Sequence, residues 1–111
     1  MVVIELNSVS EFENLLKETE NYELGKIVIM IYEEGPVYEN MKLIYELISR
    51  ESPDNKYYAM HLEACANDDV FCEKYDLFSY PVFLIMKYGN VMQRFETSTS
   101  MYFLSRYLFC N

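Results

Sequence analysis

The chain contains 111 residues, with 18 Asp and Glu against 9 Lys and Arg, and it therefore carries a formal net charge of −9. This length suits one domain spanning residues 1–111 and is too short for two. Hydrophobic residues make up 51% of the sequence, which is enough for a core and excludes an intrinsically disordered chain. The acidity argues against nucleic acid and anionic membrane surfaces as partners, because both attract clustered Lys and Arg.

The charge is concentrated in the first two-thirds of the chain. Residues 1–76 contain 17 acids and 6 bases, whereas residues 77–111 contain one acid and three bases. A solvated acidic surface is the simplest interpretation of this asymmetry. A basic partner, or self-association that pairs the two ends of the molecule, is the alternative.

The three cysteines, Cys65, Cys72 and Cys110, bear on the compartment. An odd number of cysteines, with no basic segment ahead of an apolar stretch at the start, does not match a secreted disulfide framework. The longest apolar runs, Ile27–Tyr32 and Tyr80–Met86, are too short to cross a bilayer. We therefore expect a cytoplasmic protein in a reducing environment.

The first half of the chain predicts alternating strands and helices. Serines three residues ahead of Glu11 and Glu13 form a capping-box signature for one helix, and Pro36 suits the first turn of the next, where no backbone donor is needed. The run KIVIMIY is β-branched and apolar throughout, as in a strand covered on both faces. The predicted elements are a strand at Val2–Leu6, a helix ending before Asn21, a strand at Lys26–Tyr32 and a helix at Pro36–Arg50.

The second half predicts three strands and two helices. We expect Asn67 or Asp68 to cap a short helix from which Val70 and Phe71 face the core. Tyr88-Gly89-Asn90 predicts a hairpin turn, because glycine tolerates positive φ. The predicted elements are a strand at Lys56–Leu62, a helix ending near Lys74, strands at Val82–Lys87 and Val91–Thr97, and a final helix capped by Ser98. In the last of these strands the alternation places Val91, Gln93 and Phe95 on one face.

This element order, with Gly35-Pro36 opening the second helix and Tyr80-Pro81 ahead of the fourth strand, resembles thioredoxin over nearly the whole chain. In that family a strand such as KIVIMIY leads into a Trp-Cys-Gly-Pro-Cys loop, and a segment such as Tyr75–Val91 contains a cis-proline. The βαβ units imply parallel strands and the late hairpin an antiparallel pair. We therefore expect a thioredoxin-like, three-layer α/β fold with a mixed sheet of about five strands and about four helices, and a cis bond before Pro81.

The redox cysteines of the family are missing at this loop. Glu34 stands where the resemblance places the nucleophilic cysteine, and Val37 stands where it places the resolving cysteine. A thiolate is the nucleophile in disulfide exchange, and neither a carboxylate nor a valine forms the mixed disulfide. Thioredoxin catalysis at this loop is therefore excluded on this alignment. A non-enzymatic role is favoured, and an enzyme that uses other thiols stays open.

Cys65 and Cys72 are the remaining candidates for redox chemistry. Two helical turns would separate them by about 10.5 Å, beyond the roughly 7 Å between Cα atoms that a disulfide allows. We interpret Cys72 as a small buried residue and expect Cys65 to be exposed. We expect His61 to be an ordinary residue at the end of a strand. The spacing of His61 and the cysteines supports no metal site, and no cofactor motif is present.

The resemblance suggests a redox-inactive module that binds a protein or peptide. In the thioredoxin family the face around the cis-proline docks extended peptides, partly through backbone hydrogen bonds, and tyrosines suit such an interface. The acids beside the loop favour a basic partner, and a homodimer through the last strand or the tyrosine-rich face is an alternative. The predicted surface comprises Glu33, Glu34, Gly35, Pro36, Val37, Tyr38, Tyr80 and Pro81.

Two other functions stay open from the sequence. One is an atypical thiol–disulfide oxidoreductase, acting in cell redox homeostasis through Cys65 or Cys72. The other is a structural subunit of a larger complex.

Overall fold

The structure is a computed structural model that describes residues 3–23, 25–51, 54–77 and 81–96, with the backbone alone at Val37. The strands in these ranges are β1 (Val3–Leu6), β2 (Ile27–Tyr32), β3 (Lys56–His61), β4 (Val82–Lys87) and β5 (Asn90–Glu96). The helices are α1 (Val9–Glu18), α2 (Pro36–Glu51) and α3 (Asp69–Lys74), with one turn of 3₁₀ helix at Leu62–Ala64.

The five strands form one mixed sheet in the order β1-β3-β2-β4-β5. β1, β3 and β2 run parallel, and β4 runs antiparallel to both β2 and β5. α1 and α3 pack on one face of the sheet and α2 packs on the other. The predicted α/β architecture with a mixed sheet is confirmed, while the predicted final helix and Cys110 lie outside the described residues. None of the described helices is long and apolar enough to span a membrane.

β2 is the centre of the molecule, with all six of its side chains buried. Alternate residues point to opposite faces of a strand, so Ile27, Ile29 and Ile31 enter the core under α1 and α3. Val28, Met30 and Tyr32 enter the core under α2. Each such apolar side chain contributes about 1.5–3 kcal/mol on burial. The uninterrupted apolar run is therefore explained by a strand with two covered faces, as predicted.

The short helix α3 begins where the sequence predicts, but it buries only part of the expected face. Asp68 caps the helix, and its Oδ1 accepts a hydrogen bond of 3.0 Å from the backbone N–H of Phe71. Phe71 is buried, whereas Val70 is 77% exposed. Successive residues lie about 100° apart around a helix, so a helix of six residues packed on one side cannot bury both. The prediction that Val70 faces the core is wrong.

A β-bulge in β5 overturns the predicted alternation of that strand. Val91 and Gln93 pair with consecutive residues of β4, so Met92 is the extra residue of the bulge. Val91 packs on the α1 and α3 side of the sheet, and Phe95 packs on the α2 side. The prediction that Val91 and Phe95 share one face is therefore wrong. The extra residue of the bulge shifts the alternation by one position, so the side chains before and after it point to opposite faces. The turn before it does contain Gly89 at a φ of 77°, as predicted.

Candidate functional site

Three central strands place His61, Tyr32 and Pro81 side by side at one end of the sheet. Tyr32 is the last residue of β2 and pairs in parallel register with His61, the last residue of β3. β4 runs antiparallel to β2, and its first residue, Val82, pairs with Ile31, the residue before Tyr32. Pro81 therefore enters the sheet beside Tyr32. The Gly35–Pro36 loop leaves from this same end, because it follows β2 directly.

The Gly35–Pro36 loop forms the start of α2. Gly35 has a φ of 151°, which side chains disfavour, and its carbonyl accepts a hydrogen bond of 3.1 Å from the backbone N–H of Glu39. Pro36 is the first helical residue, as predicted. Glu33 and Glu34 precede it and are exposed. Carboxylates near a helix N-terminus are favoured by about 0.3–1 kcal/mol, so this end of α2 presents negative charge on a stabilising dipole.

His61 faces this acidic loop in a fixed orientation. Its Nδ1 accepts a hydrogen bond of 3.0 Å from the backbone N–H of Glu63. In the neutral ring the proton is therefore on Nε2, which lies 3.9 Å from Oε1 of Glu34. The ring also packs at nearly a right angle to that of Tyr32, with centroids 5.1 Å apart. His61 lies at the end of a strand, as expected, and its Nδ1 is already occupied as an acceptor.

Two stacked tyrosines stand beside the histidine. The rings of Tyr32 and Tyr38 lie 4.1 Å apart with an angle of 12° between their planes. The Tyr32 hydroxyl donates a hydrogen bond of 2.5 Å to Oε1 of Glu5, reaching across β3 to β1. Burial, together with Glu5, raises the pKa of Tyr32 well above its ordinary value, and burial raises the pKa of Tyr38. Both phenols therefore stay protonated at neutral pH, and the Tyr32 phenol acts as a hydrogen-bond donor to Glu5.

Glu5 was not among the residues that the sequence pointed to, and His61 was expected only as an ordinary residue at the end of a strand. Glu5 is remote from the loop in sequence, and only the order β1-β3-β2 brings it within reach of the Tyr32 hydroxyl. The available signal was the predicted parallel arrangement, which gathers the carboxyl ends of several strands at one edge of the sheet. Of the predicted surface, Tyr80 and the side chain of Val37 lie outside the described residues.

The two described cysteines have environments opposite to those expected. Cys65 is only 2% exposed, whereas Cys72 is half-buried. The expectation of an exposed Cys65 and a buried Cys72 is wrong, because the 3₁₀ turn directs Cys65 into the core under α3. The two residues are also close, since the Cys72 thiol donates to the Cys65 carbonyl oxygen at 3.3 Å.

Both thiols are free, and both hold their protons tightly. Burial raises the pKa of the Cys65 thiol to about 11, and the neighbouring Cys72 adds to this shift. Burial and then Asp68 raise the pKa of Cys72. A raised pKa removes thiolate at neutral pH, and the thiolate is the reactive form. Among the described residues, no group of three or more His, Cys, Asp or Glu side chains is arranged to hold a metal ion.

Comparison with solved structures identifies the fold. A thioredoxin from Nicotiana alata superposes with a TM-score of 0.80 at 15% identity, over 98% of this chain and 91% of that one. The oxidised mitochondrial thioredoxin 3 from Saccharomyces cerevisiae gives a TM-score of 0.78 at 16% identity, over 98% and 95% of the two chains. The Fasciola hepatica thioredoxin gives 0.74 at 18% identity, over 95% and 98%. The chain has the thioredoxin fold.

The similarity is one of structure. No protein-family model matches the chain, and no curated protein sequence does. Within the thioredoxin fold, Glu34 and Val37 flank Gly35-Pro36 at the positions where the family resemblance places the two redox cysteines. The described thiols lie elsewhere, in the segment from the 3₁₀ turn to α3. The candidate site therefore combines acids, tyrosines and a histidine at the end of the sheet where thioredoxins carry a dithiol.

Proposed function

We propose that this protein is a thioredoxin-fold module that binds an extended segment of a protein partner, without dithiol chemistry at the Gly35–Pro36 loop. The surface is the one predicted from the sequence, extended by His61, and the buried Tyr32 ring supports it by stacking on Tyr38. The observation that carries the proposal is the replacement of the loop cysteines by Glu34 and Val37. One fold can host different functions, so the loop can bind a partner without forming a mixed disulfide. The reducing cytosol stays the expected compartment.

The chemistry of this surface favours a basic partner. Glu33 and Glu34 are exposed beside the start of α2, and Oε1 of Glu34 lies 3.9 Å from Nε2 of His61. Tyr38 adds an aromatic ring that is half-buried and already held by Tyr32. Rigid tyrosines contribute contact area at a low entropic cost. A lysine-containing segment would therefore combine an ion pair at the loop with packing on Tyr38.

The proposal is tested by titrating ¹⁵N-labelled protein with an extended Val/Thr peptide that carries lysines, and with its glutamate counterpart. We expect the lysine peptide to shift the amide signals of Gly35, Tyr38 and Val82 and to bind more tightly than the glutamate peptide. Glu34→Lys should weaken the lysine peptide several-fold. Glu51→Lys, at the other end of α2, makes the same charge change and should leave the affinity nearly unchanged. Equal weakening by the two variants would remove the proposed surface.

The oxidoreductase alternative has one observation in its favour, the proximity of Cys65 and Cys72. Their raised pKa values weigh against it, because little thiolate forms at neutral pH. A dithiothreitol-driven disulfide reductase assay separates the two functions. The binding proposal predicts no turnover by wild type beyond that of Cys65→Ser and Cys72→Ser. Turnover that disappears in either serine variant would establish the alternative instead.

A further inference from the structure

The edge strand β1 is open to a partner in a way that the opposite edge is not. In the described ranges β1 pairs with β3 alone, at one border of the sheet. β5 forms the other border, where the bulge at Met92 distorts the strand; such bulges protect edges against unwanted pairing. Val3–Leu6 contains no proline, lysine or bulge, and Ile4 is 56% exposed. The border formed by β1 therefore lacks the proline, lysine and bulge that oppose strand addition, and its one charged residue, Glu5, favours a basic strand.

A cavity of about 240 Å³ lies between this edge strand and α2. Ala59 of β3 lines it and stands in one register row between Glu5 of β1 and Met30 of β2. A methyl side chain at this position leaves the space beneath α2 unfilled. The cavity therefore reaches the edge strand at Glu5. The remaining lining is Val3, Tyr32, Tyr45 and, from α2, Tyr38, Lys42 and Glu46.

The lining of the cavity suits one positively charged, planar side chain. Glu5 and Glu46 supply two carboxylates against the single ammonium group of Lys42. Only Oε1 of Glu5 receives the Tyr32 hydroxyl, so the other carboxylate oxygen can accept a hydrogen bond. The ring of Tyr38 adds an aromatic wall. Guanidinium groups both pair with carboxylates through a fork of donors and stack on aromatic rings, so arginine fits this lining better than lysine.

We propose that β1 is a second binding site, at which an extended, basic segment of a partner protein adds to the sheet edge and places one arginine side chain in this cavity. Backbone hydrogen bonds to β1 supply the affinity, and the ion pair with Glu5 supplies the selectivity. This site adjoins the Gly35–Pro36 surface, since Tyr38 contributes to both, and it goes beyond the binding function proposed there. The two proposals stand or fall on different residues, Glu5 here and Glu34 there.

The probe for this site is the capped peptide Thr-Val-Arg-Val-Thr, compared with the same peptide carrying citrulline, which keeps the shape of arginine without its charge. We expect the arginine peptide to bind about tenfold more tightly and to shift the amide signals of Val3–Leu6. Glu5→Gln removes the charge and keeps an oxygen acceptor for Tyr32. It should bring the preference for arginine close to unity. Glu13→Gln on α1 makes the same charge change and should keep the preference.

A second variant tests the cavity independently of the charge. Ala59→Val narrows the space under α2 while keeping a residue that favours strands, and it should abolish the preference for arginine. Equal affinity for the two peptides, or shifts confined to Gly35 and Val82, would overturn the proposal. So would a concentration-dependent dimer that accounts for all β1 shifts, since the edge would then serve a second copy of this chain.

Discussion

Tyr32 and Tyr38 connect the end of β2 to the first turn of α2 through a face-to-face stack with ring centroids 4.1 Å apart. The loop between them contains the exposed acids and the Gly35–Pro36 pair. The stack holds the two ends of this loop together. In this chain an aromatic contact therefore spans the segment that carries a dithiol in the thioredoxins it resembles.

A double-mutant cycle measures the strength of this contact. Tyr32→Leu and Tyr38→Leu each remove one ring, and the double variant removes both. We expect a coupling energy of about 0.5–1.5 kcal/mol from urea unfolding, the range typical of aromatic pairs. A coupling energy near zero would show that the rings contribute only through their separate burial.

The buried hydroxyl of Tyr45 is expected to be costly to remove. It donates to the carbonyl oxygens of Val28 and Tyr58, at 3.1 and 2.7 Å, and the residue is fully buried. Tyr45→Phe leaves two buried carbonyl groups with one partner fewer and should lower the free energy of unfolding by about 1–3 kcal/mol. Tyr88 is 67% exposed, so Tyr88→Phe serves as the control and should change it by less than about 0.5 kcal/mol. Similar losses from the two variants would contradict the assigned role of Tyr45.

Alkaline pH should destabilise the protein through Cys65. Burial raises the pKa of this thiol to about 11 in the folded state, against about 8.5 in an unfolded chain. The folded state therefore binds the proton more tightly, so the stabilisation is complete below about pH 8.5 and is lost as the pH rises through the folded-state pKa. Between these values the free energy of unfolding should fall by at most ~1.4 kcal/mol per pH unit.

Denaturant titrations under reducing conditions check this dependence. The Cys65→Ala variant should lose part of the decline that begins near pH 8.5, and Cys72, whose pKa is also raised, accounts for a further part. The decline at higher pH, where buried Tyr45 ionises on unfolding, should remain because the pKa of that phenol is raised by burial. An unchanged profile in Cys65→Ala would assign the early decline to another group.

Gly25 and Gly35 should respond differently to a methyl group. A Cβ atom on Gly25 would clash with the backbone oxygen of Asp54, whereas a Cβ on Gly35 meets no atom within 4 Å. Gly25→Ala forces backbone movement and should cost about 2–3 kcal/mol. Gly35→Ala meets only the unfavourable φ and should cost about 1 kcal/mol. Thermal unfolding of the two variants tests this order, and a larger loss at Gly35 would reverse the explanation.

The architecture was predictable because its strongest patterns are local. The apolar run of β2, the serine cap of α1 and the proline at the start of α2 each follow from a few adjacent residues. Ser8 does accept the N–H of Glu11 through its hydroxyl oxygen, at 3.1 Å. These patterns, taken in order, are sufficient for a mixed α/β sheet.

The site was only partly predictable, because its contacts join distant parts of the chain. Tyr32 reaches Glu5 across an intervening strand, and Glu34 lies near His61 of β3. No spacing along the sequence encodes these distances. The burial of Cys65 and the partial exposure of Cys72, opposite to the prediction, have the same cause. They depend on how the 3₁₀ turn is joined to α3. The bulge at Met92 does not show in the alternation of the sequence, yet it moves the side chains on either side of it to opposite faces of the sheet.

The position of β1 has a consequence for the order in which the sheet is completed. Of the described strands β1 leaves the ribosome first, yet Val3 pairs with Tyr57, and so β1 waits for β3 to be synthesised. β4 and β5 join through a short hairpin soon after both have emerged. Closing a long loop is slower than closing a hairpin. The strand synthesised first therefore pairs late, and until β3 is available the nascent chain carries an unpaired, largely apolar segment.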